Sequence, residues 1–128
     1  MEKCTCSCKN CDCKVIDLEL VKKTLEAKPD EQEFSRLSLL FKIMGDKTRL
    51  KLIWTLERGE MCVSDITNVI DMTKSSVSHQ LAVLREAGIV SFRRVGKEIY
   101  YRLDDEHIEE LYAIGLNHIE HKMKGVEK

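Results

Sequence analysis

Residues 73–103 read TKSSVSHQLAVLREAGIVSFRRVGKEIYYRL, and their apolar period changes part-way. In the first half Val77, Leu81 and Leu84 recur at i, i+4 and i+7, which is one face of a helix. Thr73 offers a hydroxyl to the unpaired N–H groups of the first turn, and Gly88 offers a stop. Beyond Gly88 the period falls to two. Residues 89–95 and 98–103 are β-rich and separated only by Gly96-Lys97, a hairpin signal. Upstream, residues 63–70 form a short apolar-periodic piece with Asp65 in its first turn, where the helix dipole favours an anion. Asp71-Met72-Thr73 joins it to the helix that follows. Two helices on a three-residue connection, followed at once by a hairpin, predict a winged helix-turn-helix.

Further out, Phe34, Leu37, Leu40, Phe41 and Met44 keep helical spacing up to Gly45. Leu50, Leu52, Ile53, Trp54 and Leu56 mark a second helix that ends at Gly59. Residues 15–27 have helical character without a clean stripe, and Pro29, the only proline, marks a break after them. Residues 104–124 read as one long final helix. The expected fold is mainly α with a β-hairpin wing, a dimeric winged helix-turn-helix. Residues 15–128 carry it, with dimerisation helices at both ends, and residues 1–14 form a flexible Cys-rich metal-binding tail.

A chain of 128 residues, 43% hydrophobic and 34% charged, is enough for one cored domain and too short for two. Lys and Arg number 21 against 22 Asp and Glu, which excludes a histone-like polycation. The near-zero total is unevenly spread. Residues 73–102 carry Lys74, Arg85, Arg93, Arg94, Lys97 and Arg102 against Glu86 and Glu98, a net +4. Residues 103–128 carry a net −4. No apolar run approaches the ~18 residues of a membrane span, and the opening residues do not read as a signal peptide, so a soluble cytoplasmic protein without a membrane partner is expected. The basic segment supplies the DNA contacts. Lys74, Ser75, Ser76, Ser78, His79 and Gln80 lie on the recognition helix, and Arg93, Arg94 and Lys97 on the hairpin, types that reach base edges and phosphates.

Two residue sets point to metal. Five of the six cysteines (Cys4, Cys6, Cys8, Cys11, Cys13) fall in the first 13 residues, and Cys62 stands alone. Thiols so close together cannot staple distant parts of a fold, and they read as soft-metal ligands. In the last helix His107, Leu111, Ile114, His118 and His121 follow a 4-3-4-3 spacing on one stripe. His107 and His118 are 11 positions apart, about 16 Å at ~1.5 Å per residue. Donors on one zinc ion lie within about 4 Å of each other, so a single helix cannot join them. Two antiparallel copies would set Asp105 and His107 of one beside His118 and His121 of the other, giving three nitrogens and one carboxylate per site.

These residues resemble the ArsR/SmtB family of metal-responsive repressors over roughly residues 33–122. The resemblance rests on Gly45-Asp46-Lys47-Thr48-Arg49-Leu50, Glu60-Met61-Cys62-Val63-Ser64-Asp65, Ser76-Val77-Ser78-His79-Gln80-Leu81, Gly96-Lys97-Glu98-Ile99-Tyr100-Tyr101 and the last-helix array. It implies a homodimer that binds an inverted-repeat operator when metal-free and releases it on binding Zn(II), Cd(II) or Pb(II), derepressing efflux or resistance genes. It also implies two site types: Asp105, His107, His118 and His121 for zinc, and Cys62 with tail thiolates, here Cys4, Cys8 and Cys11, for softer ions. The family's second motif cysteine is Ser64 in this chain. A thiol redox or persulfide-sensing repressor and a cytosolic metal buffer are the alternatives. Nothing resembles a nucleophile–base pair or a phosphate loop, so neither an enzyme nor a small-molecule substrate is expected.

Overall fold

The computed structural model describes residues 16–126. The chain divides into two compact units, Met1–Leu37 and Ser38–Lys128. The boundary expected near residue 14 lies outside the described residues. In the first unit, helix α1 (Leu18–Ala27) starts where the Asp17 carboxylate accepts the Leu20 N–H at 2.9 Å. Pro29, lacking an N–H and crowding the residue before it, separates α1 from helix α2 (Glu31–Met44). The Asp30 carboxylate accepts the Glu33 N–H in the first turn of α2. No residue of α1 is buried, as its lack of a clean apolar stripe implies.

In the second unit, helix α3 (Lys47–Arg58) is capped by Asp46, whose carboxylate accepts the Arg49 N–H at 3.1 Å. Strand β1 (Met61–Cys62), helix α4 (Val63–Val69) and helix α5 (Lys74–Glu86) follow. Then come strands β2 (Val90–Val95) and β3 (Glu98–Leu103) and helix α6 (Glu106–Val126). The sheet is antiparallel in the order β1-β3-β2. Gly88 and Gly96 have φ of +77° and +63°, the left-handed region. Gly88 closes α5, and Gly96 takes the first central position of the hairpin, where a type II′ turn requires glycine.

The core of this unit joins every layer. Leu52 and Ile53 of α3, Ile66 of α4, and Val77, Leu81 and Leu84 of α5 are fully enclosed. Tyr101 and Leu103 of β3 and Ile108 of α6 pack into the same cluster. At about 1.5–3 kcal/mol per enclosed aliphatic side chain, this packing holds α5 against α3 and the wing. The apolar face read at Val77, Leu81 and Leu84 is therefore the buried one.

The elements agree with the sequence reading except in two places. Strand β1 was not foreseen, because two residues are too few to display an alternation. Helix α6 begins at Glu106 and not at 104, because the Asp104 N–H donates to the Ile89 carbonyl at 2.9 Å and the Asp105 carboxylate accepts the His107 N–H at 3.0 Å. Those bonds turn the corner out of β3 before the helix can start.

Candidate nucleic-acid interface and metal donors

Helix α5 is fixed at its start by Thr73, whose Oγ1 accepts the Ser76 N–H at 3.1 Å and whose hydroxyl donates to Ser76 Oγ at 3.0 Å. Ser76 is thus engaged in the cap. Lys74, Ser75, Ser78 and His79 of α5 are exposed, and their side chains make no hydrogen bond or ion pair among the described residues. Gln80 is half-buried, and its Oε1 accepts from Arg49 Nη1 at 3.1 Å. The same guanidinium donates from Nε to the Ile43 carbonyl at 2.6 Å. Arg49 therefore ties the last turn of α2 to the recognition helix. Gln80, placed by the sequence among the DNA contacts, has its acceptor engaged inside the protein.

The wing shows a similar division. Arg94 and Lys97 are exposed, with no ion pair among the described residues. Arg93 is held by Glu60: Nε donates to Oε2 at 2.8 Å and Nη2 to Oε1 at 2.7 Å. That pair holds the Glu60 carboxyl below its ordinary value and raises Arg93, the side-chain hydrogen bond being the main cause in both. The Arg85 guanidinium lies 5.0 Å from the Phe92 ring centroid and braces α5 against β2. Sequence reasoning missed Arg49 and Glu60 as functional residues. The sequence carries no local signal for Glu60, which lies 33 positions before Arg93.

The metal donors fall into separate groups. In the joint between β3 and α6, Asp105 Oδ2 approaches His107 Nδ1 at 3.5 Å, and both side chains are exposed. His118 and His121 are exposed farther along α6. Of the stripe's apolar members, Leu111 packs partly against the core while Ile114 is 64% exposed. Cys62 is a free thiol, 6% exposed, and pairs with Tyr100, which in turn pairs with Arg93 across the sheet. Cys4, Cys8 and Cys11 lie outside the described residues. Among the described residues of one chain, no three His, Cys, Asp or Glu side chains come together as a metal site.

The model of the arsR family of bacterial regulatory proteins matches residues 46–91, from the start of α3 into β2. A transcriptional repressor SmtB homolog from Synechocystis sp. is 34% identical over 119 residues, covering 89% of this chain and 90% of that protein. The chain belongs to the ArsR family. A cadmium resistance transcriptional regulatory protein CadC homolog from Staphylococcus aureus is 39% identical over 92 residues, covering 70% of this chain and 76% of that protein. The crystal structure of the AntR antimony-specific transcriptional repressor superposes with a TM-score of 0.67 at 32% identity, covering 74% of this chain and 86% of that one. This ArsR-family chain is a winged helix-turn-helix transcriptional regulator, with α4 and α5 as the helix-turn-helix and β2–β3 as the wing. Among the described residues no helix is long and apolar enough to cross a membrane.

Proposed function

We propose that this repressor binds an inverted-repeat operator as a metal-free homodimer and releases it on binding Zn(II), Cd(II) or Pb(II), derepressing metal efflux or resistance genes. The exposed face of α5 enters the major groove, and Arg94 and Lys97 engage the backbone. The observation that carries the metal reading is the position of Asp105 and His107. Asp105 lies between the last wing strand and α6 and His107 in the first turn of α6, so a ligand fixed there acts on the angle between the reading head and that helix.

The donors fit the metals. The exposed Asp105–His107 pair and the exposed i, i+3 pair His118 and His121 are each too few for a closed site, and they complete one another only between two chains. Three imidazoles and a carboxylate suit zinc, while Cys62 with Cys4, Cys8 and Cys11 would suit softer ions. Bound metal supplies a cross-link between chains. The protein supplies the orientation of His107, whose backbone N–H and ring nitrogen are both set against the Asp105 carboxylate.

The test is anisotropy of a labelled operator, selected from a random duplex pool by the metal-free protein. Zinc or cadmium is expected to weaken binding by about 5- to 150-fold, the usual range of such coupling. His118→Ala is expected to abolish the zinc response, and Cys62→Ser the cadmium and lead response. If no metal changes operator affinity, the sensor reading fails. Release by an oxidant or persulfide alone would identify a thiol sensor, and tight metal binding without duplex affinity would identify a buffer.

A further inference from the structure

We propose that Glu60 is a built-in competitor of DNA: it occupies Arg93 in the free protein and gives it up to a backbone phosphate when the wing docks. The inference rests on the DNA-binding reading and assigns a role to a residue outside the reading head. Arg93 leaves β2 three positions before the hairpin tip, yet its side chain does not project toward the tip. It folds back over β3, its guanidinium 5.9 Å from the Tyr100 ring centroid, to reach Glu60, the residue just before β1. Two hydrogen bonds of 2.8 and 2.7 Å close a bidentate pair. The Nε–Nη2 edge they use is one with which a guanidinium forks onto phosphate.

Exposure allows the exchange. The Arg93 side chain is 61% exposed and that of Glu60 is 25%, so the guanidinium can swing out while the carboxylate stays at the sheet edge. The pair is electrically neutral. While it is closed, Arg93 neutralises no phosphate and releases no counterion. The wing then presents Arg94 and Lys97 alone of its three tip-proximal cations. A buttress role, with Glu60 steering the opposite edge of Arg93 onto DNA, predicts the reverse sign on removal of the carboxylate.

Because phosphate contacts carry no sequence information, a labelled random-sequence duplex of about 30 base pairs serves as the probe. Binding is measured against salt for the wild type, Glu60→Gln, Arg93→Gln, the double variant, and Glu57→Gln as a charge control. Glu60→Gln is expected to bind about two- to fivefold more tightly, the range set by losing one exposed ion pair. Its plot of log K against log salt is expected to steepen by about one per protomer. Both changes should vanish in the Arg93→Gln background, whereas a general loss of negative charge would persist there and appear equally in Glu57→Gln. The Arg93 Nε–H resonance should move on Glu60→Gln and, in the wild type, on adding duplex. Unchanged or weaker binding by Glu60→Gln, or equal tightening in the Arg93→Gln background, overturns the proposal. A wild type that binds no duplex at low salt overturns the DNA-binding reading itself.

Discussion

Arg49 shows how much a single side chain settles in this protein. Its Nε satisfies the Ile43 carbonyl, one of those left over at the C-terminus of α2, and its Nη1 fixes Gln80 on the recognition helix. Hydrogen bonds from a charged group at a half-buried site contribute roughly 1.5–3 kcal/mol each, less where water competes. Arg49→Met keeps the apolar stem and removes both bonds. It is expected to lower unfolding stability by about 1–3 kcal/mol in urea denaturation and to weaken duplex binding, because Gln80 and its turn of α5 lose their anchor. An unchanged urea midpoint would show that neither bond matters. The Glu60–Arg93 pair behaves differently with pH. Arg93 holds the Glu60 carboxyl below its ordinary 4.5, so the pair's contribution is fully present above that value and lost only as pH falls through the lower folded one. At neutral pH the Glu60 carboxylate therefore stays ionised, and pH does not break the pair.

At the scale of elements, α6 carries the metal reading. Its three histidines lie too far apart to share an ion in one chain, so the proposed sites would each draw on two copies of the helix. This can be tested by mixing. A His107→Ala chain and a His118→Ala chain each lack both sites as homodimers. Paired with each other they retain one intact set, with His107 from one chain and His118 and His121 from the other. Zinc titration of the mixed dimer is expected to recover one tight site per dimer where both homodimers show none. No recovery would overturn the cross-chain site. The helices and the wing were legible because their apolar periods are long enough to count, as at Val77, Leu81 and Leu84. The two-residue strand β1 was not, because pairing with Tyr100 and Tyr101 comes from residues nearly forty positions away. For the same reason the sequence placed Gln80 and Arg93 among the DNA contacts without showing the partners they hold in the free protein. Local spacing takes Gln80 off the apolar face of α5 and puts Arg93 on β2, but does not show that Arg49 and Glu60 are waiting for them.

At the scale of the molecule, α6 leaves apolar surface that its own unit does not cover. Ile119 and Met123 are 55% and 60% exposed. A groove of about 570 Å³ lies between the end of α2, α3 and α6, lined by Phe41, Met44, Trp54, Leu111 and Ile119 among others. Contiguous apolar surface of this kind marks an interface, and the proposed metal sites require that α6 be paired. A two-fold dimer must also set its two α5 helices about 34 Å apart, or a multiple of that, to read both halves of an operator. In the proposed dimer, operator affinity would therefore depend on the same face as dimerisation. Ile119→Glu puts a charge into that face without touching a metal donor, a DNA contact or an enclosed core residue. The wild type is expected to sediment as a dimer and Ile119→Glu as a monomer with unchanged helical circular dichroism. Operator binding by the variant should fall by at least about tenfold, since one head then binds without the other. A variant that still sediments as a dimer and binds normally would move the interface away from α6, and with it the pairing of Asp105 and His107 with His118 and His121.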